Sequence, residues 1–581
     1  MFLITTADER TWEKDEKILF LGEWCKLYSR KDIWSKLDYE TLPYHWDDGE
    51  KFSHDRNYIA SVYERYLENI SDRLNKIHKC NYPLRYWRIL IGTWLLCFIE
   101  ILFDRYVNLK IAVESFNIKS TWIINADNDN WTPRNMEQFH QFYISDAWNQ
   151  YIFDEIIKHL NLFSYKQINI KNIYDNKVSR KFSLHNIKKN FEHLIVPFIN
   201  KTFNSSNTVF FSSSMLGRKN QAILELGLGQ FPQLIEPDLS IPHFSIDNTR
   251  LLLKPGIAKT EFEQLLEFMI PMQIPIAYWE GYKYLRKKAL QLYPNNIKTI
   301  FTANSYHFNE SFKVWSAENV NKGAKLVIGQ HGGNMGSCLI SSDQDHQIDI
   351  SDQFLTWGWT KTNQPKIKPI PTIQLLRFKK NLSANKNGAI LHVLGSYPRY
   401  SYIMYSAPIS SQFLDYINNQ IVLINHLSKS VYNLIRVRQD LSRKHKWFVK
   451  DRLIDGGHEN LVDNNNMDIL KTLNNCRLCI ATTNSTVFLE TFTGNYPTLL
   501  FWQPNHGELR PEAVPFYEML RTCGILHDTP KSAANKLNEI YNDPINWWHQ
   551  EKIQLARKTF CEQFANISKS WLQQWKSELK G

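Results

Sequence analysis

From residue 208 onward the chain alternates short β-branched and aromatic runs with helical segments of about 10–15 residues, an order that few folds accept. T-V-F-F-S-S at 208–213, K-T-I-F-T-A at 298–303, K-L-V-I-G-Q at 325–330 and F-L-T-W-G-W at 354–359 read as strands. The stretches 260–269, 275–292 and Glu310 to Asn319 between them read as helices. Strand, helix and strand repeated in this way build parallel βαβ units, so the expected fold class is α/β. Residues 361–388, with Pro365, Pro369 and Pro371 among Lys and Asn, read as a linker. A second alternating unit follows, with strands at 388–396, 432–438, 477–483 and 497–502. Two Rossmann-type lobes with a cleft between them are expected: an N-terminal lobe over 1–375 with helical insertions, and a C-terminal lobe over 385–530. A polar helical tail covers 531–581.

Before residue 208 the pattern is less regular. Strands are expected at 2–6, 18–22 and 121–126, and helices at 57–78, 87–115 and 139–160. The longest apolar run, Ile89 to Phe103, is broken by Glu100 and falls short of the about 20 residues a spanning helix needs. The wider segment 85–107, flanked by Arg and Trp, reads either as a buried core helix or as a helix lying against a membrane face. The N-terminus lacks a basic stretch followed by a long apolar one, so no secretory signal is expected.

A net charge of +11 on 581 residues is mild. It suits an anionic small ligand such as a nucleotide, or an anionic lipid surface. No Lys/Arg block is long enough for a nucleic-acid tail, and no nucleic-acid partner is expected. The eight cysteines are scattered, and the single C-x-x-C, Cys476 and Cys479, has no second pair to complete a metal set. No metal and no cofactor are expected. The D-x-D pairs Asp127/Asp129 and Asp343/Asp345 read as solvated loops.

In open parallel sheets ligands bind beyond the carboxyl ends of the strands, and four such ends carry chemistry. Strand 325–330 runs into Gln330-His331-Gly332-Gly333, where glycines admit a ligand close to the backbone and a neutral His can act as a general base. A Gly-rich turn with a structural His fits the same residues. After strand 298–303 come His307 and Glu310, the latter a second candidate base. Thr483-Asn484-Ser485-Thr486 opens a helix, which makes either a plain N-cap or a phosphate site, and Glu490 within that helix could accept ribose hydroxyls. Gly395 and Ser396 close the first strand of the second lobe, with Arg399 just beyond. Arg436 and Arg438 alternate on one face of strand 432–438, as phosphate ligands or as an edge-strand surface.

Several of these motifs resemble a known family. F-L-I-T-T-A-D-E-R-T-W at the start, R-Y-W-R-I-L-I-G-T-W-L at 85–95, G-Q-H-G-G-N-M-G at 329–336, F-L-T-W-G-W at 354–359, T-N-S-T-V-F-L-E-T at 483–491 and P-T-L-L-F-W…R-P-E-A at 497–513 are similar to an uncharacterised family of transferases from bacterial O-antigen and surface-polysaccharide gene clusters. More distantly, the Q-H-G turn, the S/T-rich strand–helix turn and the following Glu resemble GT-B glycosyltransferases, in the style of Kdo transferases and CDP-glycerol glycerophosphotransferases. Gly494-Asn495-Tyr496-Pro497 is one residue longer than the G-x-P of that pattern.

The resemblance implies a GT-B-like, metal-independent glycosyltransferase of surface-polysaccharide assembly. It would lie in the cytoplasm, with peripheral contact at the inner membrane as its further expectation. The nucleotide-sugar donor, with a lean to cytidine, would sit on the C-terminal lobe at Gly395, Ser396, Arg436, Arg438, Thr483, Asn484, Ser485, Thr486 and Glu490. A saccharide or lipid-linked saccharide acceptor would meet His331 or Glu310 as base, near Gln330, Gly332, Gly333 and His307. Helices beyond 531 would return to the first lobe, as GT-B chains often do. A nucleotide-sugar epimerase on the same scaffold and a non-catalytic polysaccharide-assembly protein are the alternatives.

Overall fold

The computed structural model describes the chain apart from residues 126–127, 171–207, 234–235, 238, 240, 440–446, 464–466 and 581, and the side chains of 128 and 129. The Asp127/Asp129 pair therefore lies outside the described residues. The protein is α/β, and among the described residues every pairing between sheet strands is parallel.

The strands form three groups. The first holds β1 (Phe2–Ile4), β2 (Ile18–Phe20) and β3 (Tyr39–Thr41), with β4 (Thr121–Ile124) paired to β5 (Tyr165–Ile168). The two sheets touch: the Leu3 N–H donates to the Ser120 carbonyl at 3.0 Å, and Phe2 and Ser120 form a parallel bridge. The row thus reads β3-β2-β1-β4-β5, a parallel unit of its own where the sequence suggests three scattered strands. The second sheet runs in chain order through β6 (Val209–Ser212), β7 (Thr299–Thr302), β8 (Lys325–Gly329), β9 (Gln353–Thr356) and β10 (Ile367–Pro369). The third contains β11 (Ala389–Val393), β12 (Ile435–Arg438), β13 (Cys476–Ala481), β14 (Thr498–Phe501) and β15 (Leu526–His527), in the order β12-β11-β13-β14-β15. Chain order reverses between β11 and β13, and such a switch point opens a crevice at the carboxyl ends.

Two expectations change. The stretch read as a linker carries β10 and the helix Leu376–Asn381, so it closes the second sheet rather than hanging between lobes. The apolar run belongs to a 32-residue helix, Leu84–Ser115, long and apolar enough to cross a membrane, yet 94% of its apolar window is buried in the protein. Its flanks also face inward. Arg85 donates to the Ile350 carbonyl and to Asp352, and the Trp87 indole donates to Asn75 at 3.0 Å. Buried Arg105 pairs with Asp104 and donates to the Ser401 carbonyl at 2.9 Å, tying this helix to the third unit. The helix is a core element, the first of its two sequence readings.

The C-terminal helix Trp571–Lys580 packs on the second sheet: the Trp575 indole donates to the Pro371 carbonyl at 2.8 Å and its ring meets Phe301 edge-on. The long helix Gly49–His78 starts at Asp48, whose carboxylate accepts from the Glu50 and Lys51 N–H groups at 2.9 and 3.1 Å. Asp48→Ala leaves those donors to water, so it should cost about 1 kcal/mol, read as a lower urea midpoint at unchanged m-value.

Candidate functional site

A cavity of about 430 Å³ lies at the carboxyl ends of β11, β13 and β14, at the switch point of the third sheet. Its walls come from the turn after β11 (Gly395, Ser396, Tyr397), the turn after β13 (Thr482 to Thr486), Trp502 and Gln503 after β14, and Gly332, Gly333 and Asn334 after β8. The turns after β8 and β13, singled out from sequence and carried by different sheets, therefore face one space. It adjoins a more open mouth of about 410 Å³, which shares Asn419, Gln503 and His506 with it and adds Asp47 and Asp415.

The turn after β13 is built to leave donors free. The helix Thr486–Thr493 begins at Ser485, whose backbone is extended and whose side chain makes no capping bond. The Ser485 hydroxyl instead accepts from Thr483 at 3.0 Å. Of the two sequence readings, plain side-chain capping is not the one realised. The first N–H groups of a helix carry partial positive charge, and without a side-chain cap they can take an anion.

The turn after β8 closes directly onto it. The Gly333 N–H donates to the Thr486 hydroxyl at 3.1 Å, and a Cβ on Gly333 would lie 2.5 Å from the Ser485 carbonyl carbon. Only a glycine allows that approach. Gln330 braces the turn from below: its amide donates to the Gly332 carbonyl at 2.8 Å and accepts from the Trp357 N–H and the Trp359 indole at 2.9 and 2.8 Å. Asn484 spans the two turns, donating to Ser337 at 3.0 Å and accepting from Tyr517 at 2.9 Å. Gly395 is held by its N–H bond to the Tyr416 hydroxyl at 2.7 Å.

His331 precedes the cavity-lining glycines and is itself half-buried outside the lining. Its Nδ1 is buried without a hydrogen-bond partner. Burial pushes the imidazole below its ordinary pKa, with the Asp343 carboxylate acting the other way, so the ring is neutral at pH 7. His307 lies nearby, its Nδ1 3.9 Å from Asp343 Oδ1. Asp343 is thus no solvated loop residue; it sits on the helix Ser342–Ile350.

Other predicted residues go elsewhere. Glu310 is buried: it accepts from the Met136 N–H at 2.8 Å and the Tyr278 hydroxyl at 3.1 Å, and pairs with buried Lys313 at 2.8 Å. That carboxylate caps a helix and neutralises a lysine, which leaves it no path to a substrate. Arg436 is exposed and donates to the Asn433 and Ile435 carbonyls. Arg438 bonds Thr472 and the Met467 carbonyl. Both arginines share a face, as their spacing requires, but neither lines the cavity. Glu490 is also off the cavity; burial pushes its carboxyl up to about 8 against the pull of Arg377. Arg399 is buried on Asp146 at 2.6 Å and the Trp24 carbonyl, joining the first unit to the third.

Sequence reasoning did not find Tyr397, Tyr405, Tyr416, Trp502, Gln503 or His506. The rule that sites gather at strand ends reaches Trp502 and Gln503, which follow β14 directly. Tyr405 lies in a loop and Tyr416 on a helix, with no motif around either.

A family model described as LIC12162 family transferase matches residues 1–579. No curated protein matches the chain.

Proposed function

Because the chain belongs to the LIC12162 family of transferases, we propose that the group it transfers is a sugar, taken from a nucleotide-activated donor on a GT-B-like pair of facing α/β units. The second and third sheets supply the two sides of that pair, and the acceptor is a saccharide of surface-polysaccharide assembly. The observation that carries this reading is the meeting of the Gly332–Gly333 turn with the uncapped 482–486 turn on one cavity at a switch point. The donor's phosphate would take the free N–H groups at the start of Thr486–Thr493, and its nucleoside would lie among Tyr397, Tyr416 and Trp502. The polar mouth at Asp47, Asp415 and Asn418 offers hydrogen-bonding groups to a sugar.

His331 takes the proton as the acceptor O–H bond breaks. The acceptor oxygen bonds to the anomeric carbon, and the carbon–oxygen bond to the phosphate breaks with its electron pair going to the phosphate. The helix start stabilises the charge that the departing phosphate gains.

A thermal-shift panel of CMP, CDP, UDP, GDP and their sugars tests the reading. One nucleotide at a hundredfold excess over its Kd should stabilise the fold by about 2.7 kcal/mol. Product analysis with and without saccharide acceptors then separates transfer from epimerisation. If no nucleotide raises the melting temperature, the donor assignment fails.

A further inference from the structure

The steps above make no use of Asp343, a carboxylate held with unusual care. The Tyr306 hydroxyl lies 3.1 and 3.0 Å from its two oxygens, and the Gln347 amide donates to Oδ2 at 2.7 Å. Neutral donors thus fix the plane of an anion. His307 Nδ1 stands at ion-pair range, 3.9 Å. His331, one strand away, has a buried Nδ1 without a hydrogen-bond partner, and Ala303 is the backbone neighbour that favours its charged form. An orphaned buried nitrogen is costly and calls for an explanation.

We propose that Asp343 is the positioning carboxylate of the histidine base: fixed by Tyr306 and Gln347, it holds a negative charge against His307 and His331 at the carboxyl ends of β7 and β8, and stabilises the imidazolium formed when His331 takes the acceptor's proton. This rests on His331 being the base of the proposed transfer.

The surrounding groups leave that role to Asp343. Burial would raise its own carboxyl, but His307 beside it, with the charges of His331 and His346 when protonated, holds it down to about 2. His346, on the same helix, is pushed down to about 3 by burial and stays neutral. From the helix Leu84–Ser115, Glu100 is pushed up to about 8 and Cys97 is pushed up as well, both by burial, so neither is charged at pH 7. Arg88 pairs with Glu64, Arg56 with Asp345 and Lys313 with Glu310.

The test uses the full chain with carbon-13-labelled histidine, titrated by NMR in the wild type and in Asp343→Asn. Resonances are assigned with His307→Gln and His331→Gln. Turnover is followed against pH with the nucleotide sugar that stabilises the protein most. Removing the anion disfavours the protonated ring, so the His331 titration should move about one unit to lower pH. The acid limb of the rate profile should move the same way, with kcat about tenfold lower, KM unchanged, and partial rescue by Asp343→Glu. An unmoved His331 titration in a folded Asp343→Asn overturns the proposal, whatever the activity does. A moved titration with unchanged rate and unchanged limb shows that His331 is not the base, and the proposal falls with that reading. If Asp343→Asn does not fold, Tyr306→Phe serves. It strips a donor from the carboxylate, so the His331 titration should move to higher pH, and no movement there overturns the proposal.

Discussion

His331→Ala should lower turnover by about 10²–10⁴ while nucleotide affinity stays within a factor of about two, because losing a general base removes proton transfer and leaves donor contacts alone. The geometry separates the two effects. The histidine stands behind the Gly332–Gly333 turn, outside the cavity lining, whereas the donor contacts come from the turns after β11 and β13. The imidazole is neutral at pH 7 because burial disfavours its charge. The wild-type rate should therefore be flat through neutral pH and fall only on the acid side, below the ordinary histidine pKa of about 6.5. Glu310→Gln gives the contrast. It strands the buried Lys313 ammonium without its counter-ion, so its effect should fall on the melting temperature rather than on turnover per folded molecule. Near-normal turnover in His331→Ala, at intact nucleotide binding, would remove the histidine from the reaction.

What could be read from the sequence follows from how local each signal is. β7, β8, β11, β13 and β14 are dominated by apolar and β-branched residues and buried along most of their length, and such runs announce themselves without a partner. The first unit escaped because β1, β2 and β3 are three residues each and β1 joins β4 through a bridge at Ser120, a contact some 118 residues away in the chain. β10 hid among prolines because an edge strand tolerates them: its Pro369 ends the strand, and among the described residues no further strand pairs on that side. Among site residues, the glycine and hydroxyl turns were legible, since turn chemistry is set by neighbours in sequence. The charged residues were not. Glu310, Arg399, Arg436 and Arg438 lie at or beyond strands as ligand-binding residues would, yet Glu310 is engaged by Met136, Tyr278 and Lys313, Arg399 by Asp146, Arg438 by Thr472 and Met467, and Arg436 by neighbouring carbonyls, and no motif marks these partners. Asp343 is the reverse case. Its D-x-D looked like a solvated loop until folding set it beside Tyr306 and His307.

Ser485→Ala should weaken nucleotide binding roughly 10- to 150-fold, because a hydrogen bond to a charged phosphate is worth about 1.5–3 kcal/mol. The hydroxyl lines the cavity and accepts from Thr483, which leaves its own proton free to donate to an anion. Gly333→Ala should weaken binding comparably by another route. Its added methyl would sit 2.5 Å from the Ser485 carbonyl carbon and force the two turns apart, opening the cavity without touching any ligand contact. Arg436→Ala is the informative neutral variant. Its guanidinium is exposed and spent on backbone carbonyls off the cavity, so nucleotide affinity should not change. Calorimetric titration of the three variants with the stabilising nucleotide reads all of this at once. If Arg436→Ala loses affinity and Ser485→Ala does not, the phosphate lies toward β12 and the helix start at Thr486 is only a fold element. If Ser485→Ala and Gly333→Ala both bind as the wild type does, with folding intact, the cavity between the turns is not where the donor sits. The expected pattern, two losses and one neutral result, follows only from a phosphate seated where the glycine turn closes on the uncapped helix.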